Sequence, residues 1–277
     1  MKEFSVQHYT FRPLSNEIGM IPMLEKLSRM GYTGVELCCF GGFESLKMDA
    51  KELKDRMDDL GLKLVGNHFT REMFRGDHHA AFVYIAEAGG RYAIYNIWGS
   101  YDTLADVEDK AAYLNSLSTI AAREGITLLY HNHDFEFKKV GDDYILDLLY
   151  SNVPATKLKT QLDTCWVKVG GENPAEYVRK YSGRAPVVHL KDFSGSKSEN
   201  MYALIGNDAT NDTKATSNEK FQIRPCGYGC QNFEEIIAAA HDADAKWVVV
   251  EQDNASDGMN SLECAQKSFE HISSLNK

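Results

Sequence analysis

The chain has 277 residues, 43% of them apolar and 25% charged, with a formal net charge of -10. That composition belongs to a folded globular domain and excludes fibrous, disordered and membrane-spanning classes; at this length about 73% of the extended surface is expected to be buried, enough for one large core. The acidic excess, offset by no basic run, disfavours nucleic acid or an anionic membrane as partner, and residues 1–11 lack the pattern of a secretory leader, so the expected location is cytoplasmic.

Short β-rich runs alternate with longer helical patterns. Strands are expected at 4–9, 34–38, 63–69, 92–97, 126–131, 159–163, 186–190 and 247–251, with helices near 19–30, 50–60, 77–88, 104–124 and 259–275. In 50–60, for example, Leu53, Met57 and Leu60 recur on one helical face. Glycines stand just before several strands (Gly31, Gly61, Gly125), where a helix must end in a left-handed backbone. Eight strand-helix units fit a closed (β/α)8 TIM barrel occupying residues 1–277, with an open doubly wound sheet as the alternative. One stretch, about 193–222, is polar and breaks the rhythm; following the seventh strand, it is expected as a loop insertion on the catalytic face. The turn after it carries Arg224 and the glycines 227 and 229, whose amides are one place a phosphate could be cradled. The cysteines, Cys226 and Cys230 included, lack CxxC spacing and read as reduced thiols.

Chemistry collects where apolar strands end. Strand five runs into YHNHDFEF (130–137), strand six into QLD (161–163), strand seven into HLKD (189–192) and strand eight into VEQD (250–253). Taken singly, Asp163 reads equally as a helix cap, His189 as a core histidine and Glu251 as a partner of Lys191. Carboxylates and imidazole sent together to one barrel mouth are the donors of a divalent ion (Mn, Mg, Co or Zn), since unpaired buried carboxylates repel one another.

With GYTGVEL (31–37), QLDT (161–164), HLKD, GYG (227–229) and VEQD, the chain resembles the xylose isomerase-like TIM barrels, a superfamily that includes ketose 3-epimerases, inosose dehydratases and endonuclease IV. The resemblance implies metal ligands at Asp163, His189 and Glu251. The strand-five metal glutamate of the epimerases falls, without gaps, at Tyr130, and their second, substrate-facing glutamate at Glu136. Glu136 reaching in from the loop is therefore the expected fourth ligand, with His131 and His133 as competitors. The negative charge sets the DNA-repair branch aside.

The expected activity is a metal-dependent isomerase or epimerase of a ketose, sugar phosphate or cyclitol, working by proton abstraction next to a carbonyl through a metal-stabilised enediolate. The catalytic candidates are Glu251, His68, His133 and Lys191, and the pocket candidates Glu36, His131, Trp98, Trp166 and Arg224. An inosose-type dehydratase or 3-keto-glycoside lyase would use the same metal site; a non-catalytic sugar-binding barrel is the alternative from another class. The expected partner is a small-molecule sugar, sugar phosphate or cyclitol, with a homodimer possible.

Overall fold

The structure is a computed structural model that describes residues 3–197 and 221–275. Eight strands, β1 (Glu3–Gln7), β2 (Gly34–Leu37), β3 (Lys63–Thr70), β4 (Tyr92–Asn96), β5 (Thr127–His131), β6 (Leu158–Asp163), β7 (Val187–Leu190) and β8 (Trp247–Val250), pair in parallel in sequence order, and β8 closes on β1. Closure leaves no unpaired edge, as a (β/α)8 barrel requires. Helices between the strands cover the outside. Their ends follow local chemistry: Asp49 caps Ala50–Asp59, and Thr103 with Asp106 forms a capping box on Leu104–Arg123. Gly31, Gly61 and Gly125 adopt positive φ beyond helix ends.

Alternation along the strands sorts the side chains into two sets. Val65, Ile94, Leu129, Val187, Trp247 and Val249 meet inside the barrel as an apolar plug. Their neighbours Tyr95, Leu128, Tyr130, Leu162, Val188 and Val250 belong to the larger cluster beneath the helices. Two residues beyond Leu129, Val187 and Val249 come His131, His189 and Glu251, so the same period that builds the plug delivers these groups to the mouth.

Strand β3 reaches that phase only through an irregularity. The β2–β3 register shifts between Val35 and Glu36, where Val35 pairs with Leu64 but Glu36 with Gly66. A bulge of this kind re-aims the residues beyond it. Past it, His68 pairs with Ile94 and Thr70 with Asn96, which places His68 and Thr70 on the inner face. A Cβ on Gly66 would stand 2.0 Å from the carbonyl oxygen of Tyr92, so only glycine fits.

The polar stretch after β7 is structured at its ends. Asp192–Gly195 and Phe221–Arg224 pair as an antiparallel hairpin, and Phe193, Phe221 and Ile223 pack with Cys165 and Trp166. At these ends the polar stretch expected from about 193 to 222 forms paired strands with an apolar face; its middle, 198–220, lies outside the described residues. The glycine turn is corrected. The amides of Gly227 and Gly229 both donate to Asp192 Oδ2 at 2.9 Å, while those of Phe193 and Gln231 donate to Oδ1. The anion this turn holds is a side chain of the same protein.

Two outcomes test this description. Gly66→Ala should destabilise the fold by about 2–4 kcal/mol in urea unfolding, since neither backbone can retreat; an unchanged midpoint would refute the close approach. His8 is buried against Ser15 Oγ (2.9 Å), and burial, aided by Arg12, lowers its pKa to about 4. The unfolded chain therefore binds a proton that the native state refuses. Stability should fall as pH drops through 6.5 and level off below about 4, at up to about 1.4 kcal/mol per pH unit from this group, and His8→Asn should flatten the slope.

Candidate functional site

His131 at the end of β5, Asp163 at the end of β6, His189 in β7 and Glu251 just after β8 each place one donor atom so that all lie within 4.8 Å of one another, and all four are buried. Asp163 does two jobs. Its Oδ1 caps Thr164–Val169 by accepting from the amides of Cys165 (2.8 Å) and Trp166 (3.3 Å), leaving Oδ2 to face the group. That Oδ2 is buried, accepts no hydrogen bond, and lies 3.8 Å from His131 Nε2.

Behind the group sits Glu36, fully buried. Its carboxylate accepts from Gln7 Nε2, from Gln161 Nε2 (2.5 Å) and from His189 Nε2 (3.1 Å). With its amide nitrogen committed to Glu36, Gln161 offers Oε1 to His131 Nδ1–H at 2.9 Å. Each histidine thus has one nitrogen tethered and the other turned to the group: His131 Nε2, and His189 Nδ1, which lies 3.0 Å from Glu251 Oε2. Tethering the far N–H of an imidazole to a carboxylate or amide is how proteins orient metal-binding histidines.

The electrostatics call for positive charge. Lys191 Nζ, also buried, lies 3.3 Å from Asp163 Oδ2, 3.0 Å from Glu251 Oε2 and 3.2 Å from Asp253 Oδ1, and 5.2 Å from the centre of the Trp166 ring. Burial works against its charge, but the three carboxylates hold its pKa well above the usual lysine value. At His189 burial is likewise outweighed, by Glu36 and Glu251, and its pKa rises to about 10. Burial raises Asp253 to about 6 against the pull of Lys191. Two imidazoles and two carboxylates, with Asp163 Oδ2 ion-paired to Lys191 but accepting no hydrogen bond, fit a divalent ion bound by nitrogen and oxygen.

Glu136 does not join this group. Its Oε1 accepts from Tyr130 OH (2.7 Å) and its Oε2 from the His133 amide (2.8 Å), and burial, against both bonds, lifts its carboxyl to about 8. Strand parity is the reason. Tyr130 points outward, edge-on to Tyr150, so the loop glutamate it binds is drawn to the helix side, and His131 stands in the fourth position. Arg224 also departs from expectation: its guanidinium is engaged by Ser194, Gln222 and Asp257. Glu36 serves as an orienting anion. His68 packs edge-on to His131, with Nδ1 4.0 Å from Glu36, and burial lowers its pKa to about 3. His133 lies between Trp98, Phe135 and Trp166, with ring centres 4.5, 5.6 and 5.8 Å away. Gln7, Gln161 and Asp253 were not anticipated; the in-facing parity set by Glu36, Asp163 and Glu251 is the signal that finds them.

The sequence pattern of the xylose isomerase-like TIM barrel matches residues 24–275. The chain belongs to that family. It is 28% identical over 165 residues to an inosose dehydratase of Clostridium beijerinckii, a match covering 57% of this chain and 51% of that protein. It is 24% identical over 247 residues to an inosose dehydratase of Halalkalibacterium halodurans, covering 81% and 78%. The chain thus spans about half the length of the first relative. Its barrel superposes on a sugar phosphate isomerase/epimerase from Parabacteroides distasonis with a TM-score of 0.76 at 21% identity, covering 100% of this chain and 96% of the other. No helix among the described residues is long and apolar enough to cross a membrane.

Metal analysis tests the centre. Protein loaded with Mn²⁺ or Zn²⁺ and then dialysed should keep about one ion per chain; Asp163→Ala or His189→Ala should lose it, and Glu36→Gln should weaken affinity about 10–100-fold. Glu136→Gln should keep the ion, and loss there would return Glu136 to the ligand set.

Proposed function

We propose that the chain is a divalent-metal-dependent enzyme that removes the proton next to the carbonyl of a sugar or cyclitol and expels the neighbouring hydroxyl as water, a hydro-lyase reaction. The observation that carries this reading is the placement of Glu136. A two-carboxylate epimerisation needs a second glutamate across the substrate, and here that residue is held on Tyr130 and the His133 amide, away from the His131, Asp163, His189 and Glu251 group. Proton-transfer capacity is concentrated instead on the β7–β8 side, in Lys191 and Asp253. The inosose dehydratase relatives support the same reaction class.

An ion held by His131, Asp163, His189 and Glu251 would supply Lewis acidity toward a hydroxy-ketone. The chain's own groups supply the rest. Asp253, with a pKa of about 6, is poised to take a carbon-bound proton near neutrality. Lys191 stays protonated beside it and donates to the departing hydroxyl, so that one proton leaves carbon, one joins the leaving oxygen, and water is released. Working from one wall, the pair suits a syn elimination. Glu36, Gln161 and Gln7 hold both imidazoles in place without touching the reacting atoms.

The second reading is isomerisation or epimerisation, favoured by the imidazoles of His68 and His133 within the same mouth. Burial holds both well below the usual histidine pKa, which leaves them neutral and weakly basic.

The discriminating measurement is a panel of ketoses, ketose phosphates and keto-cyclitols incubated with metal-loaded enzyme in heavy water. Loss of water with appearance of an unsaturated or dicarbonyl product is expected, and Lys191→Met and Asp253→Asn should each slow it about 10²–10⁴-fold with the ion retained. Deuterium uptake without loss of water would transfer the assignment to the isomerase reading.

A further inference from the structure

The wall formed by β3 and β4 carries a set of polar groups that the mechanism above does not use. Thr70 and Asn96 are cross-strand partners at the last positions of these strands. Both are in phase with residues of the barrel interior: Asn96 lies two beyond Ile94 of the plug, and Thr70 two beyond His68. All three polar residues are buried, His68 at 4%, Thr70 at 4% and Asn96 at 5% exposure. His68 Nε2, Thr70 Oγ1 and Asn96 Oδ1 nevertheless have no hydrogen-bond partner. Buried polar atoms are almost always paired, because desolvating one without a bond is costly, so three on adjacent positions of neighbouring strands point to a ligand that completes them. Two other buried amides at this end are bonded at both of their polar atoms: Asn67 to the backbone of Cys39, and Asn132 to that of Asp163.

Building on the metal-site reading, we propose that Thr70, Asn96 and His68 form the subsite that receives the hydroxyls of the substrate remote from the reacting carbons. The chemistry of the three atoms specifies what fits. An amide oxygen accepts, a threonine hydroxyl both donates and accepts, and a neutral imidazole nitrogen does either; vicinal hydroxyls satisfy all three. None of the three is a cation. The nearby Arg71 is turned to Asp109 and Tyr113, and Arg224 and the glycine turn are bound within the chain. The remote end of the substrate is therefore an uncharged polyol and not a phosphate ester. Thr70 lies about 7 Å beyond His68 along the strand, which suits the span of a six-carbon ring or chain. Trp98, two residues after Asn96, adds an aromatic surface beside His133, as sugar-binding walls commonly do.

Two probes with the same hydroxy-ketone but different remote ends separate this subsite from the metal centre: 2-keto-myo-inositol and dihydroxyacetone, titrated calorimetrically into metal-loaded protein. Thr70→Val and Asn96→Leu should each weaken the keto-cyclitol about 5–20-fold while leaving dihydroxyacetone affinity and bound ion unchanged. Thr70→Val should also leave the ligand-free melting temperature unchanged or raised, because it removes an unpaired hydroxyl; a purely structural threonine would lower it. Unaltered keto-cyclitol binding, or equal weakening of both probes, would overturn the proposal. If the wild-type protein kept no ion yet bound myo-inositol, which has no carbonyl, in a Thr70- and Asn96-dependent way, the metal reading would fall and the subsite would stand.

Discussion

The mouth of this barrel is organised around one buried anion. Glu36 has no access to water, so its carboxylate must be satisfied by protein donors, and β1, β6 and β7 each supply one in Gln7, Gln161 and His189. Because Gln161 has two ends, the constraint passes on to His131. Two imidazoles from different strands are thereby fixed by a residue that stands behind the candidate metal group. A carboxylate with fewer donors would leave the rings free to turn, and the nitrogen each presents would no longer be determined.

The barrel was legible because its signals are local and repeated. Apolar runs of strand length, helices with a single apolar face and glycines at helix ends recur often enough that a misplaced boundary does not alter the topology. Asp163, His189 and Glu251 were legible for a related reason: each follows directly on an apolar run, and a strand end inside a barrel has one destination. The fourth member of the buried group was harder. YHNHDFEF offers ligand-type side chains at His131, His133 and Glu136, and composition alone does not say which faces inward. The decision rests on parity, Tyr130 packing outward and His131 inward, and on the pull of Tyr130 on Glu136. His68 at the end of β3 was among the catalytic candidates, but the way β3 brings it inward, a one-residue register shift at Gly66, is marked by nothing in the hydrophobic pattern. At the hairpin, a long polar interior masked the apolar Phe193, Phe221 and Ile223 at its ends.

Several features that could serve ligands are turned to internal use. The glycine turn closes on Asp192, Arg224 on Asp257, and Glu136 on the backbone of the loop that carries His133. Each sets the position of a segment bordering the mouth. What is left for chemistry is compact: an anionic group of Asp163, Glu251 and Asp253 around one ammonium on one side, and neutral polar and aromatic residues on the other. This division separates where charge develops from where shape and hydroxyl pattern are read.

The hairpin of Asp192–Gly195 with Phe221–Arg224 also bears on what holds the mouth in register. Both feet of the span 196–220 are clamped, by strand pairing, by aromatic packing on Trp166 and by the amides around Asp192. Once two chain ends are pinned together, doubling the length between them adds only about 0.6 kcal/mol of closure entropy. Feet clamped in this way hold the strand that carries His189, and Lys191 just after it, in register through contacts made outside the stretch that joins them.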